Sequence, residues 1–152
     1  MGTDIHVNIL HRKKDNSFED LRIYNKDGED ITWRCSFNDR NYILFGKLAG
    51  VRYCEEPLVP VRGLYWGLPQ DVVDKYNDPD YCMYGASWYD FTELVAFKDS
   101  PRAIEEDEYE DGHIERWNPV RTWVERLEDY LELFGIYYPY PGEVIISIMF
   151  DC

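Results

Sequence analysis

Asp4, His6 and Asn8 are the first residues of this chain whose types and spacing suggest chemistry. They alternate with Ile5, Val7 and Ile9 in the segment TDIHVNI, residues 3–9. A strand has a side-chain period of two, so the three polar groups fall in a row on one face and the apolar ones on the other. An aspartate and a histidine so placed share a metal ion, or the carboxylate orients the imidazole. A metal site needs three or four ligands. His11 has the opposite parity and His113 lies beside an acidic stretch, so no ligand set is evident, and neither a metal nor a cofactor is expected. The row is either a solvated sheet face or the wall of a site.

A second group lies further along. Arg40, Arg52 and Arg62 have Tyr42, Tyr53, Tyr65 and Trp66 close by in sequence. Guanidinium forks grip phosphate or carboxylate through paired hydrogen bonds, and aromatic faces stack on planar bases. These arginines are either paired with carboxylates such as Glu55, Glu56 and Asp71, or they line a pocket for an anionic, partly aromatic small molecule. No GxSxG, Walker-type, GxGxxG or HExxH motif is present, and Ser36 and Ser87 are isolated. No catalytic residue is assigned, and the reading leans away from an enzyme.

Composition narrows the classes further. The formal net charge is −14, which opposes direct binding to nucleic acid, since its phosphates would be repelled. It fits an acidic solvated surface, or mimicry of DNA by carboxylates that occupy a nucleic-acid-binding partner. No apolar run approaches the roughly 20 residues that span a bilayer, so no membrane partner is expected. Polar residues follow within a few positions of the start, so no secretory signal is expected either. Four cysteines, Cys35, Cys54, Cys82 and Cys152, form no CxxC pair, and reduced thiols in a cytoplasm are the default.

Several elements must position these residues. Residues 3–12, 18–25 and ITWRCSF (31–37) read as an antiparallel meander, joined by the turns KKDNS and NKDGED. A helix follows in RNYILFGKLAG, capped by Asn38 or Asp39 and stopped by Gly50. Residues 51–69 form an irregular but ordered aromatic loop. QDVVDKY is a short helix, and Asp90 with Glu93 has capping-box spacing for another helical segment. Residues 99–115 are a solvated acidic loop within the domain, containing EEDEYED. Asn118-Pro119 starts the clearest helix, 119–134, whose stripe is Val120, Trp123, Val124, Leu127, Tyr130, Leu131 and Phe134. EVIISIMFD is apolar on both parities, which suits a strand covered on both faces and lying beside the first. The expected fold is one α+β domain over residues 1–152. Its antiparallel sheet, N-terminal meander plus C-terminal strand, is packed by about three helices.

Five stretches, GTDIH at 2–6, DRNYILFGKLAGVR at 39–52, RGLYWGLPQDV at 62–72, GASWYDFTEL at 85–94 and the terminal IMFDC, resemble in the same order a group of small bacteriophage proteins. Those begin G-x-D-I-H, carry D-R-N-Y-x-L-F-x-x-L-A-G-V-R, then R-G-L-P-x-D and a G-H-S-x-S-W-like stretch, and end in a W-F-D-like strand. The central block is the specific one. The resemblance singles out Asp4, His6, Arg40, Asn41, Tyr42, Arg52, Arg62, Gly63, Ser87 and Trp88. Here RGLYWGLP carries extra residues within the R-G-L-P motif, and Tyr84 stands where the group has histidine. That substitution favours binding over catalysis.

Together these observations lead to one pocket. Asp4, His6 and Asn8 form one wall; Arg40, Arg52, Arg62 and the Tyr65/Trp66 loop form the others. Asn41, Tyr42, Tyr84, Ser87 and Trp88 complete the expected ligand-binding set. The ligand is an anionic small molecule, a nucleotide by preference. The resemblance, with such a pocket and no catalytic motif, implies sequestration, without turnover, of a host nucleotide signal of antiviral immunity in the cytoplasm of an infected bacterium. A homo-oligomer is expected, since ligands held without turnover are often enclosed between subunits. Two alternatives remain: a metal-dependent hydrolase of a phosphorylated or nucleotide substrate, and a DNA mimic that inhibits a host nuclease or defence protein through residues 105–111.

Overall fold

The computed structural model describes residues 2–52 and 56–152; Tyr53, Cys54 and Glu55, named above, lie outside them. The main sheet has four antiparallel strands in the order β2-β1-β6-β3. These are β1 (Ile5–Arg12), β2 (Phe18–Asp20), β3 (Met83–Asp90) and β6 (Val144–Asp151). The helices are α1 (Tyr42–Ala49), α2 (Gln70–Asn77), α3 (Phe91–Phe97) and α4 (Pro119–Glu132). The architecture is the expected α+β, with the last strand beside the first.

Strict alternation sorts β1 between two layers. Ile5, Val7 and Ile9 meet Phe150, Ile148 and Ile146 of β6 across the ladder. They enter the main core with Leu44, Phe45 and Leu48 of α1, Leu94 of α3 and the stripe of α4. The other face of β6 carries Ile145 and Met149, which pack with Leu68, Tyr65 and the partly buried Val72 and Tyr76 of α2. Both faces of the central strand are therefore covered, which its apolar residues on both parities require.

The local signals behave as read. Gly50 ends α1 in the left-handed region, at φ 67°. The Asp90/Glu93 capping box is complete, and Asn118 caps α4 ahead of Pro119 by accepting the Arg121 N–H. No helix among the described residues is long and apolar enough to cross a membrane.

Several expectations are corrected. Residues 31–37 are not a third meander strand. They form two 3-10 turns, Thr32–Arg34 and Ser36–Asn38. The reason is local: Asp30 accepts the Thr32 N–H at 3.0 Å and the Thr32 hydroxyl accepts the Ile23 N–H at 2.8 Å. Side chains thus take backbone groups that a ladder would use. The second strand is short for the same reason, continuing only as an isolated Tyr24–Asp30 bridge.

The α1 cap is Asn41, which accepts the Leu44 N–H at 3.1 Å, rather than Asn38 or Asp39. Asn38 donates to the Thr32 carbonyl and Asp39 pairs with Arg126. Phe134 lies beyond the end of α4 and is 37% exposed. The acidic loop is a β-hairpin, β4 (Glu105–Glu108) with β5 (Ile114–Trp117).

β3 went unseen in sequence because its period is broken. Its register with β6 shifts between Tyr84 and Ser87. Gly85, at φ 68°, occupies the irregularity, and a Cβ there would lie 2.9 Å from Val51 and 3.1 Å from Phe150. Positive φ and close packing both call for glycine.

The thiol expectation also changes. Cys82 and Cys152 are joined as a disulfide with Cα atoms 5.7 Å apart, within the usual span. The β3–β6 register opposes Met83 to Asp151, which brings the next residues outward to the same place. Cys35 is free and half-buried.

Candidate functional site

The polar row of β1 is the wall of an open groove of about 500 Å³. Asp4, His6 and Asn8 line one side, with Met149 and Met83 from the neighbouring strands beside them. Asp71, Val72 and Lys75 come from α2, and Arg22, Thr32, Trp33 and Asn38 come from the segment that follows β2. Alternation alone puts the row on this face. The 3-10 turns at 32–38 then build the opposite wall.

His6 is the best-oriented group in the groove. Its Nε2 lies 2.9 Å from Asp151 Oδ2. The other oxygen of Asp151 accepts the Asp4 N–H at 2.8 Å. Burial pushes the Asp151 carboxyl up, but the Asp4 N–H, the His6 ring and the Arg40 charge outweigh it and hold it below its ordinary value. A neutral His6 ring bonded this way carries its proton on Nε2, which leaves Nδ1 as an acceptor. Among the described residues Nδ1 has no hydrogen-bond partner.

Arg40 lies beside this pair, bonded to Asp4 but outside the groove lining. Its guanidinium holds Asp4 Oδ1 at 2.8–2.9 Å. It lies over Gly2, where a Cβ would meet Arg40 Nη1 at 2.1 Å. Next to it the Tyr42 hydroxyl accepts the Thr3 N–H at 3.1 Å, and Arg52 stacks 4.7 Å from the Tyr42 ring centroid. The Thr3 bond and the two arginine charges hold the Tyr42 phenol below its ordinary value. Tyr84 reaches the Thr3 hydroxyl at 3.4 Å. Asp4, His6, Arg40, Tyr42, Arg52 and Tyr84 thus lie near one end of β1, but of them only Asp4 and His6 line the groove.

The other expected residues go elsewhere, and the anticipated convergence of three arginines does not occur. Arg62 forms a two-pronged pair with Glu93 at 2.6 and 2.8 Å and stacks on Trp88 at 4.6 Å. That same Glu93 completes the capping box of α3, and the Arg62 fork, opposed by burial, holds its carboxyl below the ordinary value. Ser87 is fully buried and accepts the Arg62 N–H at 3.1 Å. Tyr65 packs between Phe18 and Trp88, while Trp66 is exposed beside Phe18. Asn41 is spent on the α1 cap. Arg62→Ala is accordingly expected to destabilise the fold by about 1–2 kcal/mol, a charged hydrogen bond discounted for partial exposure. Urea denaturation measures that loss, and groove binding is expected to stay as in the wild type.

Sequence reasoning missed Arg22, Lys75, Asp151 and Trp33. Arg22 is held by Asp30 at 2.7 Å. Lys75 has no carboxylate partner among the described residues, resting instead 5.2 Å from the Tyr81 ring centroid. Its spacing from Asp71, one helical turn, was the available signal. Behind the groove wall Asn8 donates to Asp20 at 3.0 Å, and burial pushes the Asp20 carboxyl up. Asp20 Oδ1 and the buried Ser147 hydroxyl have no partner among the described residues. No group of three or more His, Cys, Asp or Glu side chains is arranged to hold a metal ion among the described residues. In comparison with known proteins, no family model, curated protein or solved structure matches the chain.

Proposed function

We propose that this chain binds a phosphorylated small molecule, a nucleotide by class, in the groove beneath β1 and holds it intact. One observation carries the reading. In a chain of net charge −14, the groove lining balances the carboxylates Asp4 and Asp71 with the cations Arg22 and Lys75, beside the side-chain amides of Asn8 and Asn38. Phosphate oxygens take charge-assisted hydrogen bonds from such groups. Trp33, 68% exposed at the rim, offers a planar face to a base. The resemblance to phage proteins extends the proposal to sequestration of a host nucleotide signal.

The test uses protein purified without chelator and mixed with mono-, di- and cyclic nucleotides. Free nucleotide is removed, the protein is denatured and the released material is chromatographed. An intact nucleotide retained in about equal molar amount supports the reading; none retained overturns it. A second reading has its own support in the oriented His6–Asp151 pair, whose free Nδ1 suits a general base. Under that reading, released material would differ chemically from what was added.

A further inference from the structure

The carboxylate that holds His6 sits one residue from a disulfide. Asp151 precedes Cys152, and Met83, which lines the groove, follows Cys82. Met83 opposes Asp151 across the β3–β6 ladder, and the Cys152 N–H donates to the Cys82 carbonyl at 3.1 Å. Inward of this point the ladder is interrupted between Tyr84 and Ser87. On the β3 side these strand ends are therefore a short paired patch outside a bulge, fastened by one covalent link, while on the β1 side the Asp151 N–H donates to the Asp4 carbonyl at 3.1 Å.

Both cysteines are exposed. A disulfide that only stabilises a fold resists reductants best when shielded, whereas exposed ones are the labile and regulatory class. We infer that Cys82–Cys152 is a reversible latch on the groove. Oxidised, it holds Asp151 against His6 and Met83 in the wall; reduced, it lets this end of the sheet open, so that His6 loses its fixed orientation. The chemistry is ordinary exchange with a dithiol. One thiolate of the reductant attacks a cystine sulfur and forms a mixed disulfide, releasing one cysteine thiolate. The second reductant thiol then displaces the other cysteine and closes the reductant's own disulfide. The protein gains two electrons and two protons and ends with two thiols.

The consequence for ligand rests on the proposed reading of the groove; the latch itself is tested without ligand. The protein is isolated in oxidised glutathione and mapped without reduction, and a crosslinked Cys82–Cys152 peptide is expected. Amide hydrogen exchange is then compared before and after dithiothreitol, and in Cys152→Ser. The amides of Asp4, Asp151 and Cys152 are expected to exchange at least about tenfold faster once the link is gone, with α4 unchanged. The His6 Nε2 resonance is expected to move with them. A staple acting only on the unfolded chain would leave these native-state signals in place. Absence of the crosslinked peptide overturns the inference, and so does unchanged exchange on reduction. If exchange responds while no nucleotide is retained, the latch stands and the binding reading falls; the reverse pattern separates them equally.

Discussion

Lys47→Ala is expected to lower the unfolding free energy by about 3–5 kcal/mol, the cost of breaking a buried ion pair. Lys47 is 2% exposed, on a helix packed in the main core. Its ammonium lies 3.2 Å from Glu105 and donates to the Arg102 carbonyl at 3.2 Å. Without it, the largely buried Glu105 carboxylate loses its partner at the start of the acidic hairpin. Coupling of Lys47→Met with Glu105→Gln removes both charges, so the double variant is expected to recover part of the loss. Denaturation of the two singles and the double measures the interaction directly. A Lys47→Ala protein as stable as the wild type would show that the pair contributes nothing, and a loss in the double equal to the sum of the two single losses would show no coupling.

The largest functional effect is expected from His6→Ala combined with Lys75→Ala. A charge-assisted hydrogen bond from Lys75 to a phosphate contributes about 1.5–3 kcal/mol and a neutral one accepted by His6 Nδ1 from the nucleotide about 0.5–1.5 kcal/mol, so the pair should weaken binding by about thirtyfold or more. Titration calorimetry with the nucleotide retained by the wild type reads this directly. Neither side chain enters the main core, so the variant should keep its thermal stability, and Arg62→Ala serves as the control that binds normally. Wild-type affinity in the double variant would place the ligand outside the groove. Raised salt should weaken wild-type binding and affect the double variant less, because the variant has fewer charged contacts to screen.

What the chain determined by itself is what neighbouring residues decide. The β1 alternation, the Asp90/Glu93 capping box, the Asn118-Pro119 start, the Gly50 stop and the α4 stripe all depend on groups a few positions apart, and each is present. The row of Asp4, His6 and Asn8 was legible for that reason. Its surroundings were not. His6 and Asp151 are 145 residues apart, and only the β1–β6 register brings them within a hydrogen bond.

Arg62 has the residue type and sequence neighbourhood of a ligand contact, yet a glutamate 31 positions away claims it. The wall that faces the row exists because Asp30 and Thr32 turn a strand-like segment into 3-10 turns. The bulge at Gly85 hid a strand and brings Cys82 to Cys152. Local patterns reveal which face a side chain takes. Long-range pairing and competition for hydrogen bonds decide what that side chain meets, because those energies depend on groups that only the folded chain brings together.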